Sequence, residues 1–164
     1  MVILGIDPGI ALVGYGVIDY DGNRIRCLEY GVIETSSRLT TPQRLTIIDQ
    51  EMNRLFDSFR PDDVAFEELF FYQNKTNGIL VAQARGVEVL AAAKRSIPIF
   101  EYTPSQIKQT ITGYGRANKL QMQRSVQTLL RLSVLPTPDD AADGLAVAIC
   151  HAFAQRFKEE NLLR

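Results

Sequence analysis

Four carboxylates sit where this chain changes from one kind of local structure to another. Asp7 closes the apolar run in "ILGIDPG", Glu67 ends or nearly ends the strand begun in "VAFEELFF", and Asp140 and Asp143 stand three residues apart in "PDDAADGLAVAICHAF". Each has an ordinary alternative. Asp139 or Asp140 can cap a helix whose first turn favours acids, Glu67 can face water at a strand end, and Asp7 can serve the turn before Gly9. Taken together they ask for more, provided that the fold brings two strand ends and one helix start to the same place. Two unit charges about 4 Å apart repel by about 1 kcal/mol in water and about 4 kcal/mol at an effective dielectric of 20. Gathered carboxylates therefore need a compensating cation. Oxygen donors without a Cys or His cluster suit magnesium or manganese better than zinc.

The elements that must position these acids can be read from periodicity and turn chemistry. Val2 to Ile6 is a short apolar strand. Gly14 to Tyr20 and Ile25 to Thr35 are rich in β-branched and aromatic residues and flank the turn "DYDGN", which predicts a three-stranded meander. A helix follows with Thr40 or Thr41 as its N-cap, a proline in its first turn and apolar Leu45, Ile48, Met52, Leu55 and Phe59 on one face; Pro61 stops it. "VAFEELFF" predicts a fourth strand, residues from about Asn77 to Arg95 a helix, and "IPIFEY" a fifth strand. Three further helices are expected: one from near Pro104, one from about Asn118 to Leu132, and one from Asp139 to about Phe157. Hairpins followed by alternating strand and helix imply a mixed sheet flanked by helices. Asp140 and Asp143 then project from one side of the last helix's first turn.

Composition narrows the functional classes. The 164 residues, 46% of them hydrophobic, suit one domain spanning 1–164 with a full core. No run of about 18 apolar residues could span a bilayer, and the start lacks the pattern of a secretory signal, so a cytoplasmic location without membrane association is expected. Cys27 and Cys150 lie far apart in apolar surroundings and are expected to be buried thiols. The net charge of −1 conceals an asymmetry: from Lys94 to Arg131 there are seven basic residues against the single acid Glu101. A basic segment joined to an acidic remainder can bind a polyanion with one part while the other collects carboxylates, although a solvated helix face would also account for it. The helix containing Ala84, Gly86 and Ala91 is apolar around most of its circumference. It could pack on the sheet with one side and on a twin chain with the other, or lie wholly in a monomer's core.

The ordered set "ILGIDPG" with "GYGVI", "VAFEELFF" with "QARG", "QIKQTITGYGRANK" and "DDAADGLAVAI" resembles the RuvC family of bacterial Holliday junction resolvases over nearly the whole chain. The resemblance implies an α/β, RNase H-like fold: a five-stranded mixed sheet with helices on both faces. It implies a homodimer that binds four-way junction DNA and nicks two strands of like polarity symmetrically, in recombination and repair, beside the branch-migration proteins RuvA and RuvB. The family's metal-binding acids match Asp7, Glu67, Asp140 and Asp143, which leaves Glu68 and Asp139 as secondary candidates. Such a site implies two Mg2+ ions, replaceable by Mn2+, for in-line phosphodiester hydrolysis. Lys108 and Lys119 match family lysines near the scissile phosphate, with Arg116 between them. Phe70 matches an aromatic that stacks on bases of the opened junction, although strand alternation would bury at least one residue of "FFYQN"; Asn74 and Lys75 follow on the same loop. Ile10 and Ala11 depart from the polar or basic residues frequent after the family's "DPG". His151, inside the last helix, is expected to be packed rather than catalytic. Two other classes share part of the pattern: an actin-like ATPase or sugar kinase, which would need a second phosphate loop and about twice the length, and a junction-binding protein without catalysis.

Overall fold

The computed structural model describes residues 1–69 and 75–163. Strands β1 (Val2–Asp7), β2 (Leu12–Tyr20), β3 (Ile25–Glu34), β4 (Asp63–Glu67) and β5 (Ile99–Tyr102) form one sheet in the order β3-β2-β1-β4-β5. The first three are antiparallel neighbours, as two tight connections require, whereas β4 runs parallel to β1 and β5 parallel to β4. In the β2–β3 turn the Asp21 carboxylate accepts from the N–H groups of Asn23 and Arg24, and Gly22 adopts a positive φ of 98°. A five-stranded mixed sheet is thus present as expected.

Alternation along each strand assigns the two faces. Leu4, Ile6, Val64 and Phe66 pack with Ile48, Met52, Leu55 and Phe56 of helix α1 (Thr41–Phe59) and with Ala84, Ala91 and Ala92 of helix α2 (Lys75–Ala93). Ile3, Ile18, Ala65 and Phe100 face α3 (Pro104–Thr112), α4 (Lys119–Leu130) and α5 (Asp139–Phe153). Asp7 and Glu67 continue the second set, two residues on from Gly5 and Ala65.

Helix α5 lies on the first three strands unusually closely, and glycines permit it. A Cβ on Gly5 would fall 2.3 Å from the Gly144 carbonyl oxygen, and one on Gly14 would fall 1.9 Å from that of Asp140. No side chain can occupy either gap. Further along, the wholly buried His151 joins two strands: its Nδ1 lies 2.8 Å from the Tyr102 hydroxyl of β5 and its Nε2 2.9 Å from the Asp63 carboxylate of β4. The histidine is packed, as its position within the helix suggested.

Several expectations need correction. Strand β2 begins earlier than expected, at Leu12 rather than Gly14, and the second helix begins at Lys75 rather than near Asn77. The last helix stops at Phe153 and gives way to a 3-10 segment, Ala154–Asn161; Leu162 then bridges to Phe100 and covers the edge of β5. Cys150 is buried, but Cys27 is only partly so, because β3 is an edge strand. Ala84 and Ala91 are spent inside the core, whereas a Cβ on Gly86 would meet nothing within 4 Å.

Candidate active site

Sheet register and the glycine contacts bring three of the elements together. Ile6 of β1 pairs with Phe66 of β4, so Asp7 and Glu67 are the next residues on adjacent parallel strands. Asp7 also pairs with Gly14 across β1–β2, and Gly14 is the residue against which the Asp140 backbone rests. The start of α5 is therefore seated beside the ends of β1 and β4. Asp143 follows Asp140 by one helical turn on the same side.

Electrostatics report the same convergence. Burial, reinforced by Glu67, Asp143 and Asp140, pushes the Asp7 carboxyl up to about 8. Glu67 is pushed up to about 7 by burial and then by Asp143. Asp143 is pushed up to about 6, chiefly by burial; Asp139 and Asp140 add to this, while Lys119 and Lys108 oppose it. Acids from β1, β4 and α5 thus share one field, tempered by lysines from α3 and α4. Among the described residues no three acidic, histidine or cysteine side chains close into a coordination group. What fits a hard divalent cation here is the donor set, which is wholly carboxylate, and a mutual repulsion that such a cation would relieve.

A cavity of about 210 Å³ opens beside these acids, walled by Glu67, Asp143, Lys108 and Lys119 together with Ile107 and Met122. Asp7 and Asp140 are not part of its wall and reach it through charge. Lys108 is carried by α3, whose start is fixed by the Thr103 hydroxyl accepting from the Gln106 N–H at 3.2 Å. Lys119 opens α4 after the Asn118 cap. Arg116 is exposed on the intervening loop. Ile10 packs partly into the core below α1 and Ala11 is exposed, and their carbonyls accept from the Thr35 hydroxyl and N–H. That stretch serves the turn after β1. Phe70, Asn74 and the side chain of Lys75 lie outside the described residues.

The RuvC profile, "Crossover junction endodeoxyribonuclease RuvC", matches residues 3–151. The chain belongs to the RuvC family. It is 56% identical to the RuvC crossover junction endodeoxyribonuclease of Finegoldia magna, covering all of both chains. Its fold is similar to that of Thermus thermophilus RuvC, with a TM-score of 0.90 at 36% identity, covering 99% of this chain and 100% of that one. It is likewise similar to T. thermophilus RuvC in complex with Holliday junction substrate, with a TM-score of 0.93 at 36% identity and 99% of each chain covered. The RNase H-like architecture expected of a RuvC protein is therefore present throughout.

Two features of this RuvC chain escaped reading of its sequence. Glu88 of α2 is wholly buried, and neither carboxylate oxygen has a hydrogen-bond partner among the described residues. Burial first, and then Asp7, push it up to about 8 against the pull of Arg85. A lone acid within "GVEVLAAA", one turn after an arginine, was its only signal. The second feature is an ion pair between Lys119 and Asp139, which nothing in the spacing of two residues 20 apart could announce.

Proposed function

We propose that the protein is a Holliday junction resolvase, a metal-dependent endonuclease that hydrolyses one phosphodiester in each of two strands of like polarity. The observation that carries this reading is the shared field of Asp7, Glu67 and Asp143, with Asp140 beside them, next to a cavity walled by Glu67, Asp143, Lys108 and Lys119. Membership of a family whose T. thermophilus member is complexed with Holliday junction substrate supports the choice of DNA.

In this reading Asp7, Glu67, Asp140 and Asp143 hold two divalent ions, Mg2+ or Mn2+. When bound, such ions supply an activated water and stabilise the leaving oxygen. The protein's own part is to present the acids in their ionised form, to exclude competing cations, and to seat the phosphate. Lys108 and Lys119 offset the acids' repulsion of a polyanion, and Arg116 extends the contact along the backbone. Phe70 would stack on an unpaired base, with Asn74 and Lys75 on the same loop.

Two strands must be cut at a two-fold substrate, so the working unit is a homodimer. A stripe on the open side of α2 suits that contact: Ile79 is 63% exposed and Leu90 52% exposed, with Gly86 open between them. RuvA and RuvB are the branch-migration partners that family membership suggests. No helix among the described residues is long and apolar enough to cross a membrane; a cytoplasmic place suits the free thiols Cys27 and Cys150.

The test is direct. The purified chain is incubated with a synthetic four-way junction or a matched linear duplex, with and without Mg2+. Paired nicks in the junction alone, and only with metal, are expected. Junction binding without cleavage under both conditions would leave a binding protein instead.

A further inference from the structure

The ion pair between Lys119 and Asp139 joins the first residue of α4 to the first residue of α5. A helix N-terminus carries the positive end of the backbone dipole, which suits Asp139 and opposes Lys119. The first turn of α4 contains no acid of its own. Nothing within α4 therefore favours an ammonium there; the compensation comes from another helix.

The carboxylate is the fixed partner. Asp139 is the first residue of α5, and its short side chain, 36% exposed, holds the carboxylate close to the helix backbone. The lysine is the mobile one: its side chain is 76% exposed and turns on a flexible four-carbon stem. It also borders the cavity that Glu67 and Asp143 wall. Two destinations thus compete for the ammonium. One is the rim at Asp139; the other is the interior among the acids, where it would occupy the place of a divalent cation.

We propose that Asp139 is a positioning residue that holds the Lys119 ammonium at the rim of the acid pocket, where the scissile phosphate arrives, and out of the interior that divalent cations need. The proposal rests on the reading of the acids and of Lys119 given under the proposed function. It gives Asp139 a task distinct from that of Asp140 and Asp143, although all three share one helix turn and the next.

A double-mutant cycle in the full chain tests it, with Asp139→Asn, Lys119→Gln and the combination. Asp139→Asn should lower kcat by about fivefold and raise the Mg2+ midpoint, with junction Kd unchanged; in the Lys119→Gln background it should move neither. Asp139→Glu should recover part of both losses. A midpoint that rises equally in the two backgrounds would make Asp139 a metal ligand and overturn the proposal, as would wild-type kcat and midpoint in Asp139→Asn. A second readout needs no cleavage. In the metal-free protein the two ε-methylene protons of Lys119 should be distinct by NMR and merge in Asp139→Asn. Merged signals in the wild type would refute the hold even if the chain proved not to cut junctions.

Discussion

At the scale of single residues, proton affinity is the property with the clearest consequences. A carboxyl raised by burial and like charge keeps its proton in the folded chain after the unfolded chain has released it. For Asp7 that window runs from its ordinary value near 3.8 up to about 8. Within it the folded state binds more protons, so the metal-free protein loses stability as pH rises. Asp7→Asn removes this loss. We expect its melting temperature in EDTA at pH 8 to exceed the wild type's by a few degrees, with a flatter pH slope. The same variant should abolish cleavage while keeping junction binding; an active variant would remove Asp7 from the centre. Activity should follow the opposite course, rising with pH as Asp143, Glu67 and Asp7 ionise from about 6 to about 8. In the proposed site metal would compete with protons for the same oxygens, so the rise should move to lower pH as Mg2+ concentration increases, which rates at two metal concentrations would check. Glu88 has no such outlet. Glu88→Gln should also stabilise the protein at pH 8, and its effect should be smaller in an Asp7→Asn background, since the two carboxyls repel each other.

At the scale of elements, the seating of α5 decides whether the acids meet. Gly14 pairs with Asp7 and touches the Asp140 backbone, so a methyl group there must push the helix start away from the strand ends. Gly14→Ala is expected to destabilise the fold by about 1–3 kcal/mol through overpacking. It should lower kcat by about a hundredfold, because displacements near 1 Å cost that much in a positioned site. Wild-type kcat in a folded Gly14→Ala protein would mean that this contact does not set the geometry. The other end of α5 is tied through His151. Replacing it with Leu removes a partner of the buried Tyr102 hydroxyl and one contact of the Asp63 carboxylate, at a cost of about 1–3 kcal/mol for the loss of the buried hydrogen bonds. Denaturant unfolding should show that loss with little change in kcat, since His151 lies along the helix from the acids.

At the scale of the whole molecule, the distribution of charge and apolar surface sets how the protein meets DNA and, in the proposed dimer, its own copy. Leu90→Glu should place two like charges across a paired α2 stripe. Sedimentation should then show monomers of unchanged thermal stability whose junction nicks are no longer paired. Dimers surviving the change would move the interface elsewhere. Affinity for the junction should fall steeply with salt as Lys108, Lys119 and Arg116 displace counterions.

The chain's own order of residues determined a good deal. The strand meander, the helix begun by a threonine cap and a first-turn proline, the all-oxygen set of candidate donors and the acids' placement at element ends follow from local periodicity, turn chemistry and side-chain type, which act over a few residues. Where the last helix stops was less legible, because Ala154–Asn161 contains no proline or glycine to mark a break and continues the helical path in 3-10 form. Which neighbours those residues find was decided only by tertiary structure. Strand register set Asp7 beside Glu67, and the gaps at Gly5 and Gly14 let α5 bring Asp140 alongside. Of three acids within five residues, Asp139 turned to Lys119 and Asp143 to the cavity. The same packing buried Ala84 and Ala91, left Gly86 open, and placed Glu88 in the core within the field of Asp7. Charge and close contact act through space, and the distances between remote segments exist only once the sheet and its helices have assembled.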